Sequence, residues 1–253
     1  VVFLTHFNAH PATAFHPEHR VIFGEYPQTA AHVLAEHFAR DGQAPPVAFM
    51  QGCAGDTNAK HLLSGDVELA RSLGRHLGDT YVKGAGKLQP SRTDRLGLVR
   101  CVAHVPLAAL PSERVLLRQK RKIEDFVGRA NAGRQDTLEC IGLNFPRRLS
   151  PTFRATLMSF PLNWTNWALR KRRSGKAEAL PTTLPMEVCA LRLGDVAIAG
   201  LPGEPFVGVA RQIRCANIAP LTIACGYTNV SYGYVPDGPN CGDHEYMSAF
   251  YLY

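Results

Sequence analysis

At 253 residues the chain is long enough to bury a core unaided, which excludes a mini-protein stapled by disulfides or metal. Hydrophobic residues make up 45% and charged residues 19%, a balance too apolar for an intrinsically disordered segment. Lys plus Arg number 28 against 21 Asp plus Glu, and the resulting charge of +7 favours anionic surroundings without assigning a partner.

Residues 1–9 carry the β-branched, apolar pattern of a strand. Pro27, Ala30, Ala31, Leu34 and Phe38 then place an apolar stripe on a helix with proline in its first turn. Residues 46–50 form a short apolar run and residues 51–60 a glycine-containing loop, after which Val67, Ala70, Leu73, Leu77 and Tyr81 return to helical spacing. Residues 96–105 read as another strand, and residues 112–129 and 150–171 as basic amphipathic helices. Two apolar runs, 187–193 and 196–201, flank Gly194-Asp195, a two-residue hairpin signal. A helix over 205–216 and a strand over 221–225 follow, and residues 83–95 and 172–185 read as exposed connections. The alternation predicts an α/β fold, a mixed β-sheet core with flanking helices, in one domain spanning residues 1–253.

The seven cysteines contain no C-x-x-C pair, which argues against a zinc ribbon or a thioredoxin motif, and most read as free thiols. No apolar run of about 18 residues is present to span a bilayer, and no signal peptide is recognisable, so the compartment is left open. Gly-x-Ser-x-Gly and P-loop signatures are absent, which weakens serine-hydrolase and nucleotide-hydrolase readings.

Four segments put polar residues at the ends of expected strands, where α/β folds gather ligand sites: 6–10, 52–58, 203–204 and 229–234. His10 precedes Pro11 and is therefore held extended, so its imidazole is suited to a metal or to an ordinary structural contact. Glu204 stands between Gly203 and Pro205 directly after an apolar run, presenting a carboxylate from a stiff turn or starting a helix.

Taken together, Asn8-Ala-His10-Pro-Ala-Thr13, Phe49-Met-Gln-Gly-Cys-Ala-Gly-Asp56-Thr-Asn58, Leu191-Arg-Leu-Gly-Asp-Val-Ala-Ile-Ala-Gly-Leu-Pro-Gly-Glu204-Pro-Phe206 and Asn229-Val-Ser-Tyr-Gly-Tyr234-Val-Pro236 resemble the neutral/alkaline, non-lysosomal ceramidase family, particularly its shorter bacterial-type members. The resemblance is specific at these blocks, and residues 100–185 add almost nothing to it. It implies a ceramidase-like catalytic domain with zinc held by His10, Glu204 and Tyr234. It further implies that Zn2+ polarises an amide carbonyl and activates water, with Tyr246, in Asp243-His-Glu-Tyr246, donating to the developing oxyanion.

Two departures bear on that expectation. The family's first zinc histidine lies in a Thr-His-Thr-His-Ser-Gly-Pro-like motif upstream of the His10 block, and no such motif occurs in these residues. A segment preceding Val1 is the first-ranked account, replacement by a group such as His6 the second, and loss of the metal the third. Ceramidases proper also carry a serine two residues after the loop aspartate, where this chain has Asn58. An amide cannot act as a nucleophile, so Asn58 is expected to orient substrate or water, and Asp56 to orient a ligand or cap a turn.

The basic clusters at 118–122 and 170–173, the second following Trp164 and Trp167, suit an anionic lipid surface or glycan, although a solvated helix face is the simpler reading. No nucleic-acid module accompanies them. The leading expectation is a zinc-dependent amide hydrolase acting on a small-molecule or lipid amide in sphingolipid-type metabolism. The alternatives are an inactive relative that binds a lipid or glycan, and a metal hydrolase for a non-ceramide amide or ester.

Overall fold

A computed structural model describes residues 1–16, 22–91 and 94–240. The described residues form two compact units, the first drawn from 1–101, 187–231 and 235–237, the second from 102–186, 232–234 and 238–240.

The first unit opens with β1 (Phe3–Phe7), α1 (Glu25–His37), β2 (Val47–Gln51) and α2 (Val67–Ala85). Strands β1 and β2 pair in parallel from Phe3↔Val47 to Phe7↔Gln51, which the intervening helix makes possible. Asp66 caps α2, its side chain accepting from Leu69 N–H at 2.8 Å. Gly74 and Gly78 let α2 lie close on α1: a Cβ at Gly74 would stand 2.5 Å from Thr29 Cβ, and one at Gly78 2.6 Å from Val33 Cβ. Ala30 and Leu34 of α1 are buried, as the apolar stripe predicts.

The chain then runs through β3 (Leu96–Pro106) into the second unit, with α3 (Glu113–Asn131), the short β4 (Glu139–Cys140) and β5 (Leu143–Asn144), and α4 (Pro151–Arg173). Ser112 and Ser150 cap α3 and α4. Between β4 and β5, Ile141 and Gly142 both have positive φ, at 44° and 82°, the backbone that a two-residue hairpin turn requires. Leu116, Ala168 and Leu169 form a core between α3 and α4, with Leu117, Trp164 and Trp167 packed around it. The basic helices expected from sequence are thus amphipathic, and their apolar faces meet.

Strand β6 (Thr183–Leu193) returns the chain to the first unit, followed by β7 (Val196–Gly200), β8 (Glu204–Pro205), α5 (Val207–Cys215), β9 (Leu221–Cys225) and β10 (Tyr234–Val235). The sheet order is β3-β6-β7-β9, with β6 and β7 antiparallel across the Gly194-Asp195 turn and β7 and β9 parallel. The expected mixed sheet with flanking helices is therefore present. Several details differ from the sequence reading: α2 runs on to Ala85, inside the segment 83–95 read as a connection, and Glu204–Pro205 form strand β8, so the helix expected from 205 begins at Val207. Strand β1 stops at Phe7, so His10 lies beyond it and pairs instead with Asn58 in an isolated parallel bridge. Strand β6 begins at Thr183, inside the segment read as an exposed connection, because its first residues continue the ladder past the apolar run. Among the described residues no helix is long and apolar enough to cross a membrane.

Candidate functional site

Three loops of the first unit meet beyond the ends of β1, β2, β7 and β9. Gly52 bridges Cys225, Gly52 N–H donates to Phe7 O at 2.9 Å, and Gly226 N–H donates to Gln51 O at 3.1 Å. The approach is too close for a larger residue, since a Cβ at Gly52 would lie 1.6 Å from Asn8 Oδ1.

His10 is fixed through its backbone. Its N–H donates to Thr57 O at 2.9 Å, while the preceding carbonyl, that of Ala9, accepts from Tyr26 OH at 2.6 Å and from Gln51 Nε2 at 3.1 Å. Glu204 is held from both sides. Gly203, with φ 72°, donates its N–H to Val230 O and accepts at its carbonyl from Tyr227 N–H, each at 2.8 Å. Gly55 N–H donates to Pro205 O at 3.0 Å, and a Cβ at Gly55 would collide with Glu204 O at 2.3 Å. Asp56 completes this tie, its Oδ1 accepting at 2.8 Å from Val207 N–H at the first turn of α5.

These constraints place His10 Nε2 3.4 Å from Glu204 Oε2, with 19% and 24% of the two side chains exposed. The His10 ring meets Tyr227 edge to face, with centroids 6.1 Å apart, and its Nδ1 is 3.1 Å from the Tyr227 hydroxyl. Burial pulls the His10 pKa below the usual imidazole range, against the opposing pull of Glu204 and then Asp56. Burial pushes the Tyr227 phenol well above its usual range, and the adjacent Glu204 carboxylate, which draws the phenol proton, adds to the shift. A cavity beside His10 has a volume of about 490 Å3 and is walled by Pro11, Ala12, Pro27 and Phe49, with His10, Gln51 and Tyr227 as its polar groups.

The geometry of the His10–Glu204 pair bears on zinc. A separation of 3.4 Å is long for a direct hydrogen bond, but it equals the edge of a tetrahedron whose corners lie about 2.0–2.2 Å from a zinc ion, roughly 3.3–3.6 Å. Burial also disfavours the imidazolium that a simple ion pair would need. His10 and Glu204 therefore fit two zinc positions. Among the described residues no group of three or more His, Cys, Asp or Glu side chains is placed to hold a metal, so this pair depends on further donors of another kind or from other residues.

The structure thus brings together His10, Glu204 and the Asp56 loop. Asn58 belongs to the same loop and pairs with His10 through the backbone bridge. Tyr234 lies in β10 directly before Val235, whose carbonyl accepts from Phe206 N–H at 3.0 Å. Tyr246 falls outside the described residues. His6 is directed elsewhere, its Nε2 lying 3.1 Å from Ala224 O. Sequence reasoning passed over Tyr227 and Gln51. Gln51 lies within the Phe49–Asn58 segment, whereas Tyr227 lies two residues before the Asn229–Pro236 segment and carries no motif of its own.

The basic clusters of the second unit contribute Lys120, Arg170 and Arg173 to a hollow of about 430 Å3 between α3 and α4, which also contains Asn163, Asn166 and Leu169. Lys120 and Arg173 each face a carboxylate, Glu124 at 3.5 Å and Glu113 at 2.8 Å, as on an ordinary solvated helix face.

No family model and no curated protein matches the sequence. Solved structures do match. A ceramidase complexed with C2 superposes with a TM-score of 0.55 at 17% identity, covering 98% of this chain and 42% of that one. Neutral ceramidase from Pseudomonas aeruginosa superposes with a TM-score of 0.50 at 17% identity, covering 96% of this chain and 39% of that one. The fold is that of the neutral ceramidases. The chain spans less than half the length of these ceramidase structures, and the likeness runs through both of its units.

Proposed function

We propose that the protein is a ceramidase-like, zinc-dependent hydrolase of an amide bond, with His10, Glu204 and Tyr234 as metal ligands. The observation that carries this reading is the pair His10 Nε2 and Glu204 Oε2, held 3.4 Å apart, with His10 also lining a mostly apolar cavity. The ceramidase fold of the chain supports the substrate class. Zinc, when bound, supplies Lewis acidity towards a carbonyl oxygen and lowers the pKa of water.

The chain's own residues supply the rest. Pro11, Ala12, Pro27 and Phe49 exclude water and take up an apolar portion of the substrate, leaving its polar amide beside His10 and Tyr227. Asp56 holds the Glu204 turn to α5 and adds negative charge near His10, a positioning role. Asn58 orients substrate or water, and Tyr246 donates to the oxyanion. With an amide where ceramidases have a serine, a covalent intermediate at position 58 is ruled out on chemical grounds.

The test is turnover of a short-chain ceramide beside simple N-acyl amides and esters, in zinc-supplemented buffer, by the chain and its Glu204→Gln variant. Amide cleavage that disappears in the variant is expected. Equal cleavage by both would overturn the assignment, and ester-only cleavage would move the substrate away from ceramide.

A further inference from the structure

Gln51 ends β2 as a half-buried side chain that lines the cavity beside His10, and the protons of its amide are already committed. Nε2–H donates to Ala9 O at 3.1 Å and to Phe7 O and Gly52 O, each at 3.3 Å. The amide plane has one orientation compatible with these neighbours, because the reverse would set Oε1 against three carbonyl oxygens that cannot donate. The main chain is tied as well, since Gln51 O accepts from Gly226 N–H at 3.1 Å and Gln51 pairs with Phe7 in the β1–β2 ladder. The side chain therefore stands in a fixed place with one atom left over.

That atom is Oε1, which can accept a hydrogen bond and cannot donate one. Among the described residues it receives none, and it is not one of their enclosed unpartnered atoms, so a ligand in the cavity can reach it. The other two polar groups of the cavity face each other, with the Tyr227 hydroxyl 3.1 Å from His10 Nδ1. The rest of the lining, Pro11, Ala12, Pro27 and Phe49, offers no hydrogen-bonding side chain. Once a ligand displaces water from such a wall, an acceptor left without a donor is costly.

We propose that Gln51 is a specificity-determining residue whose Oε1 accepts from an N–H of the bound substrate, so that the cavity takes secondary amides in preference to esters and N-alkylated amides. The reaction in question rests on the amide-hydrolase reading, whereas the selectivity rests on the contacts of Gln51. A secondary amide satisfies Oε1 through its N–H. An ester presents an oxygen lone pair at the same point, and an N-alkylated amide a carbon, so each leaves Oε1 unpaired. Losing such a bond with the acceptor left dry weakens binding by about 10–100-fold.

The experiment compares three ligands of one size class, N-propyloctanamide, its N-methyl derivative and propyl octanoate. Ligand-observed NMR titrations of the chain in zinc-supplemented buffer read the affinity of each and report any cleavage. The parent is expected to bind N-propyloctanamide about 10–100-fold more tightly than the ester or the N-methyl amide. Gln51→Met keeps the length of the side chain and removes the acceptor, and its amide-to-ester affinity ratio is expected to collapse towards one. Thermal melts verify that the variant folds. A Gln51 with a purely structural role would weaken all three ligands alike and leave the ratio unchanged. Equal affinity of the parent for amide and ester overturns the proposal without recourse to a variant, as does an unaltered ratio in folded Gln51→Met. Amide cleavage with equal affinities defeats the selectivity alone, whereas an N–H preference lost in Gln51→Met without any cleavage upholds the role of Gln51 and defeats the hydrolase reading.

Discussion

Arg154 in the second unit and His10 in the first are both polar side chains set among protein, and their partners differ in kind. Arg154 is fully buried and donates to the carbonyls of Gln135, Thr137 and Arg147 at 3.1, 3.0 and 2.8 Å. Its partners are main-chain carbonyls of neighbouring turns, together with the Thr137 hydroxyl at 3.4 Å, so it acts as an internal clamp. His10 instead faces side chains, Glu204 and Tyr227, at the edge of a cavity, with a pKa lowered by burial and an aromatic neighbour in a strained backbone. The difference separates a side chain that completes a fold from one set up to meet a ligand. Charge alone does not, since the second unit has the more conspicuous basic clusters.

The sharpest way to break the contrast is Arg154→Leu. It leaves buried carbonyls without their donor and is expected to cost about 3–5 kcal/mol, read as a large fall in the urea midpoint. A change within about 0.5 kcal/mol would show that Arg154 is no clamp. Gly52→Ala is expected to come next, at about 1–3 kcal/mol, because the new methyl meets Asn8 Oδ1 and His6 Nε2. A neutral result in the same denaturation assay would show that the loops at the site separate easily. Asp56→Ala removes the acceptor for Val207 N–H and should cost about 1 kcal/mol, whereas Asp56→Asn keeps an acceptor and should be nearly neutral. Were Asp56→Asn to retain stability and lose turnover, Asp56 would be a chemical participant and not a tie.

The smallest effect concerns pH. Burial lowers the pKa of His6 in the folded protein, and Ala224 O only partly offsets it, so near the ordinary imidazole value of about 6.5 the unfolded chain takes up a proton that the folded one does not. Stability is therefore present above that value, falls as the pH drops through it, and levels off below the folded pKa. His6→Gln should flatten this part of the profile by a few tenths of a kcal/mol to about 1 kcal/mol. An unchanged acid limb would assign it to other groups.

Much of the fold was legible because its signals are local. The strand at Leu221–Cys225 coincides with its apolar run, and the Gly194-Asp195 turn joins β6 to β7 as its composition demands. His10 and Glu204 were legible from the sequence segments around them, although only the fold shows that residues so distant in sequence meet at 3.4 Å. Tyr227 was not legible, because its significance comes from a positive φ and from a contact with a residue 217 positions away. The end of β1 at Phe7 was likewise hidden, since the bridge from His10 to Asn58 depends on the Asp56 loop folding beside it. Arg154 looked like part of a basic helix surface, and only the carbonyls gathered around it reveal its burial.

The most direct test of the metal reading is zinc stoichiometry by equilibrium dialysis and elemental analysis, on the chain beside His10→Ala and Glu204→Gln, with folding verified by circular dichroism. The account predicts about one zinc per chain in the parent and a loss of at least about tenfold in affinity in each variant. A well-folded parent that takes up no zinc, or variants that retain it undiminished, would contradict the claim that His10 and Glu204 hold a catalytic metal.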